Sequence, residues 1–180
     1  DGITTLAEVF QEHEFKTQAF TDGLLVEGKY GFDQGFDEYL DERNENLEEN
    51  GFRRFGDSLH DWIRDNSDED FFLFIHTYDT HSPYNPPEPF SSRFKNKTPG
   101  SELADASMFY VKFIGCHDSL KLEQYSSLLD IVDLYDGSIA YVDHETGRLF
   151  DLLKELGLWE NSLIVVTTDH GESFLDNEMY

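Results

Sequence analysis

Cysteine is nearly missing from this chain: Cys116 is the only one in 180 residues, which excludes an internal disulfide and a cysteine-rich zinc site. Basic residues are scarce as well. Thirteen Lys and Arg stand against 38 Asp and Glu, for a formal charge of −25. Nucleic-acid binders carry clustered Lys and Arg that displace counterions, and no such cluster is present, so a nucleic-acid partner is excluded. No run approaches the ~18 consecutive apolar residues of a membrane helix, and Asp1 to Glu14 lacks the basic flank and apolar stretch of an export signal. Internal repeats and low-complexity segments are also absent. What the chain does have is core material, with 38% hydrophobic and 15% aromatic residues. That composition excludes disorder as the main state and suits one domain of ~100–200 residues. The acid concentrates in Asp33 to Glu49 and Asp65 to Asp70, the pattern of a solvated face.

Thr5-Leu6-Ala7-Glu8 has capping-box spacing, so a short helix is expected to run to about Glu14. Phe15 to Thr21 reads as a strand, and the Gly- and aromatic-rich Asp22 to Glu42 as loop with room for a short hairpin. Phe55, Leu59, Trp62 and Ile63 form one stripe on a helix from about Arg54 to Asp65. Phe71 to Ile75 is continuous and apolar, which predicts a strand covered on both faces. Ser82 to Glu123 holds four of the five prolines and reads as a long connection. Leu128, Val132, Tyr135, Ile139, Val142, Thr146, Leu149, Leu153 and Leu156 then mark a long amphipathic helix that Gly157 stops. Leu163 to Thr167 is expected to be a second buried strand. Helices alternating with buried strands indicate an α/β layered fold, a mostly parallel or mixed sheet flanked by helices.

Both apolar runs end in polar, metal-capable side chains: Asp79-Thr80-His81 after the first, Asp169-His170-Gly171-Glu172 after the second. Ligands of open α/β sheets bind outside the carboxyl ends of the strands, so two parallel strands would bring these groups to one rim. Asp169 and His170 offer a carboxylate and an imidazole to a single cation, and Gly171 allows a sharp turn. The same three residues also suit a helix cap or a turn. His81 is suited to protonate a leaving oxygen or hold an anion, or it is a loop histidine without a role. Pro83 fixes its backbone, and Tyr84 can cover its ring. His76, at the strand end, reads as a hydrogen-bonded core histidine. His13, His60, His117 and His144 show no partner pattern, and Cys116 lacks the basic neighbour or helix start of a reactive thiol.

At these residues the chain resembles the sulfatase family, within the alkaline-phosphatase-like superfamily. Phe71 to Pro87 is similar to the family's apolar strand followed by an Asp-Pro-His-x-Pro-Tyr loop; Tyr135 to Asp143 with Gly147-Arg148-Leu149 resembles its long helix; Asn161 to Glu172 resembles the strand ending in Asp-His-Gly-Glu. Thr5 to Phe20 and Gly31 to Phe36 fit the family's upstream segments. The resemblance implies an alkaline-phosphatase-like α/β fold that is incomplete here. It makes residues 1–180 an interior part of a single sulfatase catalytic domain.

It further implies that Asp169 and His170 bind a divalent cation, most often calcium. His170 stands where many relatives have Asn, which leaves zinc and manganese open. His81 would contact the sulfate ester and assist departure of the alcohol oxygen, as hydrogen-bond donor or general acid. Thr80 replaces the usual Pro, and Asp79 and Glu172 would be supporting residues. The family's Cys-or-Ser-x-Pro-x-Arg motif, the source of its formylglycine nucleophile, is absent from these residues. The nucleophile is therefore expected outside the chain, along with upstream acidic ligands and a downstream Lys or His. The implied substrate is a small-molecule or carbohydrate sulfate ester, and the implied partner of the whole protein is a formylglycine-generating or other sulfatase-maturing enzyme. Members are often exported, while this sequence leaves the compartment open. Two other functions remain: a phosphodiester or phosphonate hydrolase or phosphoglycerol transferase of the same superfamily, and a non-catalytic acidic module binding calcium or a protein.

Overall fold

The computed structural model describes residues 2–41, 51–95, 128–172 and 174. Cys116 and most of the connection after Lys95 lie outside the described residues. The chain divides into two compact units: Asp1–Tyr78 with Glu145–Glu160, and Asp79–His144 with Asn161–Tyr180.

The first unit is built on a three-stranded parallel sheet of β1 (Lys16–Phe20), β2 (Glu38–Leu40) and β3 (Phe71–Ile75), in the order β2-β1-β3. Helix α1 (Leu6–Glu12) starts where expected. The Thr5 hydroxyl accepts the Glu8 amide at 3.1 Å, and the Glu8 carboxylate accepts the Thr5 amide at 2.8 Å. These reciprocal bonds satisfy two amides that the first turn would leave open. Phe10 of α1 stacks on Phe72 at 4.7 Å, while Trp62 of helix α2 (Phe52–Asp65) meets Phe71 edge-on at 5.3 Å. Successive strand residues point to opposite faces, so α1 and α2 cover opposite sides of β3. The predicted stripe of α2 is the buried one: Phe55, Leu59 and Ile63 are fully enclosed, and each such side chain contributes about 1.5–3 kcal/mol.

The structure corrects three expectations. The segment after Phe20 is not a hairpin; it makes two short 3-10 turns and returns as β2, parallel to β1. Strand β3 has the expected bounds and a helix against each face, but it is half-buried rather than buried, with Phe74 exposed, and lies at the edge of the described sheet. Leu163–Thr167 forms no strand, and Leu163 is 92% exposed. Apolar, β-branched residues favour extended backbone, but a strand exists only where a neighbour takes its N–H and C=O groups. Among the described residues no strand does so here.

Short helix α3 (Phe90–Arg93) belongs to the second unit. Helix α4 (Leu128–Glu155) is as long as expected and ends at Gly157 with φ +72°, whose amide donates to Lys154 O at 3.1 Å. Its buried face is displaced from the predicted stripe. Ile131, Ser138, Tyr141 and Glu145 are buried while Ile139 is exposed. The cause is close approach by small residues. A Cβ on Gly137 would sit 2.6 Å from the Phe90 carbonyl oxygen, so Gly137 and Ser138, rather than the large apolar residues, define the nearest face. No helix among the described residues is long and apolar enough to cross a membrane.

Candidate functional site

The two polar segments that follow the apolar runs meet within the second unit. The buried Tyr84 donates its phenolic proton to Glu172 Oε2 at 2.6 Å. Beneath that bond Tyr84 packs against Ile131 and lies edge-on to Tyr135 at 5.3 Å, with Phe174 6.3 Å away. The aromatic cluster on α4 is thus the floor from which the His81 loop and the Asp169–Glu172 turn project. The surroundings of this bond are acidic. Burial, and then Glu172, raises the Tyr135 phenol; burial, and then Asp133, raises the Asp136 carboxyl.

His81 is exposed, and its Nδ1 lies 2.6 Å from Ser82 O. A carbonyl can only accept, so Nδ1 carries the proton in this bond. The same logic applies to His170, whose Nδ1 is 2.7 Å from Gly171 O. Its Nε2 lies 3.6 Å from Asp169 Oδ2, while Asp169 Oδ1 accepts the His170 amide at 2.9 Å. The side chains are 68% and 86% exposed. The Asp-His-Gly segment is therefore a turn held by its own carboxylate, and it also presents one oxygen and one imidazole nitrogen together. Fixing Nδ1 on a backbone carbonyl is the usual way a ligating histidine is oriented. Gly171 O first, then Asp169 and Glu172, holds the His170 pKa above its ordinary value. The donor set fits part of a coordination shell. Among the described residues no three His, Cys, Asp or Glu side chains gather closely enough to hold a metal ion.

His76, expected in the core, is half-buried; its amide donates to Phe20 O at 2.9 Å and its ring meets Tyr78 edge-on at 4.7 Å. Asp22, which sequence reasoning passed over as the start of a loop, is 1% exposed at the carboxyl end of β1. It accepts the Gly51 amide at 2.6 Å, the Tyr78 amide at 2.7 Å and the Thr77 hydroxyl at 3.2 Å, with Arg54 Nη2 4.0 Å away.

The chain is 25% identical over 136 residues to the multifunctional alkaline phosphatase superfamily protein PehA of Trinickia caryophylli, a match covering 66% of this chain and 26% of that relative. The chain thus spans about a quarter of the length of this relative. The profile of the sulfatase family matches residues 1–180, the whole of the sequence, and the chain belongs to that family.

Proposed function

We propose that this chain is part of a sulfuric ester hydrolase in which it supplies the leaving-group side of the site and part of the cation's shell. The observation that carries the reading is the Tyr84–Glu172 hydrogen bond, which ties the His81 loop to the Asp169–His170 turn within one unit. Asp169 through Oδ2 and His170 through Nε2 would hold a divalent cation, calcium first, with zinc or manganese also suited to an imidazole. When bound, that cation would supply positive charge against the sulfuryl oxygens.

His81 performs the proton step. With Nδ1 fixed on Ser82 O, its protonated form presents Nε2–H to the departing alcohol oxygen, which it stabilises by hydrogen bond or by transfer. The remaining ligands and the formylglycine nucleophile would come from other parts of the complete protein, the latter after action of a sulfatase-maturing enzyme. The chain's formal charge of −25 disfavours long-range attraction of a highly sulfated polymer, which favours a small or lightly sulfated ester as substrate.

The test is turnover of nitrophenyl sulfate and of bis-nitrophenyl phosphate by the complete protein. Faster hydrolysis of the sulfate is expected, with a fall of about 100-fold or more in Asp169→Ala and His81→Ala. Unchanged rates in both variants would reject the site. A second reading, hydrolysis of a phosphodiester or phosphonate, takes support from the relative's description as multifunctional, and preference for the phosphate ester would establish it instead.

A further inference from the structure

The imidazoles of His81 and His170 are held in the same way, each by the carbonyl of the residue that follows it. His81 Nδ1 donates to Ser82 O at 2.6 Å, and His170 Nδ1 to Gly171 O at 2.7 Å. An imidazole fixed on its neighbour's carbonyl keeps its direction only as long as that peptide keeps its own. What anchors the two peptides therefore decides where the rings point. Tyr84 lies two residues beyond Ser82, a span of at most about 7 Å of chain, and Pro83 between them has its φ locked by its ring. Glu172 follows Gly171 directly.

The Tyr84 phenol donates to Glu172 Oε2, so the two peptides that orient the rings are joined by a charge-assisted hydrogen bond, the stronger kind. Packing fixes one end of it. The Tyr84 ring is 4% exposed, lies on Ile131 and meets Tyr135 edge-on at 5.3 Å. Glu172, at the other end, is only half-buried, and its carboxylate is near enough to influence both His170 and Tyr135. Loss of the phenolic proton would leave the packed ring in place and remove this restraint on the Gly171–Glu172 peptide, on which the His170 ring hangs.

We propose that Tyr84 and Glu172 are positioning residues that couple the two halves of the site, so that a cation held by Asp169 and His170 also sets the orientation of His81. This coupling rests on the reading of the chain as part of a sulfuric ester hydrolase. The test uses the complete protein: calcium affinity by calorimetry, the His81 ring by NMR, and nitrophenyl sulfate turnover. Removing a group that holds a ligating histidine changes metal affinity about 10–100-fold, so Tyr84→Phe, folded by circular dichroism, is expected to weaken calcium about tenfold. Calcium should shift the His81 ring resonances of the parent, assigned by their loss in His81→Ala, and leave them unmoved in Tyr84→Phe. At saturating calcium Tyr84→Phe should keep the parent KM and lose about tenfold in kcat, as expected when the affected group acts only on the departing oxygen. Glu172→Gln, whose amide oxygen still accepts the phenolic proton, should retain more of the coupling than Glu172→Ala. Ile63→Val, a core truncation in the first unit, controls for lost stability and should change neither affinity nor kcat. Parent calcium affinity in Tyr84→Phe, or parent kcat at saturating calcium, overturns the coupling and leaves the hydrolase reading standing. A parent that binds no calcium, or turnover that survives His170→Ala, overturns the cation assignment and the coupling with it.

Discussion

Tyr84 and Glu172 are 88 residues apart in sequence and 2.6 Å apart in space. One partner is charged and the other is a buried phenol, so the bond belongs to the stronger class, worth about 1.5–3 kcal/mol. Tyr84→Phe keeps the ring packing and removes only the hydroxyl. It should lower stability by that amount in urea unfolding with an unchanged slope. A double-mutant cycle with Glu172→Gln should return a coupling of about 1 kcal/mol or more; additive losses would mean the two groups do not communicate.

Asp22 is the most heavily engaged carboxylate among the described residues of the first unit. Asp22→Ala leaves the amides of Gly51 and Tyr78 without their acceptor in a buried setting, and a loss of about 3 kcal/mol or more is expected. Asp22→Asn retains one acceptor oxygen and should lose less. Thermal unfolding of the two variants ranks them, and an equal loss would show that the charge, rather than the count of accepted bonds, matters.

Two neighbours on α4 should respond in opposite ways. Gly137→Ala would gain about 1 kcal/mol from helix preference alone. Its new Cβ, however, meets the backbone carbonyl of Phe90 at 2.6 Å, so a net loss of about 1–3 kcal/mol is expected. Ser138 is fully buried and its hydroxyl has no hydrogen-bond partner among the described residues, so Ser138→Ala should be neutral or stabilising by up to about 1 kcal/mol. Chemical denaturation of both variants checks the pair.

His60 provides the pH dependence. Burial, and behind it the charges of Arg148 and Arg64, hold its pKa below the ordinary imidazole value, while Glu145 and Asp57 pull weakly the other way. The unfolded chain takes up this proton near pH 6.5 and the folded chain only at lower pH. The stability this group contributes is therefore complete above the unfolded value and is lost as pH falls through the folded one. As pH falls below about 6.5 the melting temperature of the parent should fall relative to that of His60→Phe; a constant difference would contradict the assignment.

Local features were legible in the sequence because local chemistry determines them. Thr5 and Glu8 cap α1 across three residues, and Phe55, Leu59 and Ile63 expose one stripe at helical spacing. Phe71 to Ile75 could be recognised as a strand, but nothing in it says that β1 is its neighbour or that its other edge is open. Glu38 to Leu40 carries too little pattern in three residues to announce a parallel strand. Asp22 was missed because its value depends on amides 29 and 56 residues away. Asp169, His170 and His81 stand out in the sequence as residue types at segment ends, while the bond that joins their segments, Tyr84 to Glu172, could not be read from either segment alone.

Leu163, Val165 and Val166, uncharged and turned to solvent, give copies of this chain a means of sticking to one another. Opposing this is a formal charge of −25 on every copy, whose repulsion reaches about 30 Å in 0.01 M salt but only about 3 Å in 1 M. Ionic strength then acts as the colloidal switch: dilute buffer keeps the molecules dispersed, and concentrated salt lets the bare apolar segment recruit its own kind.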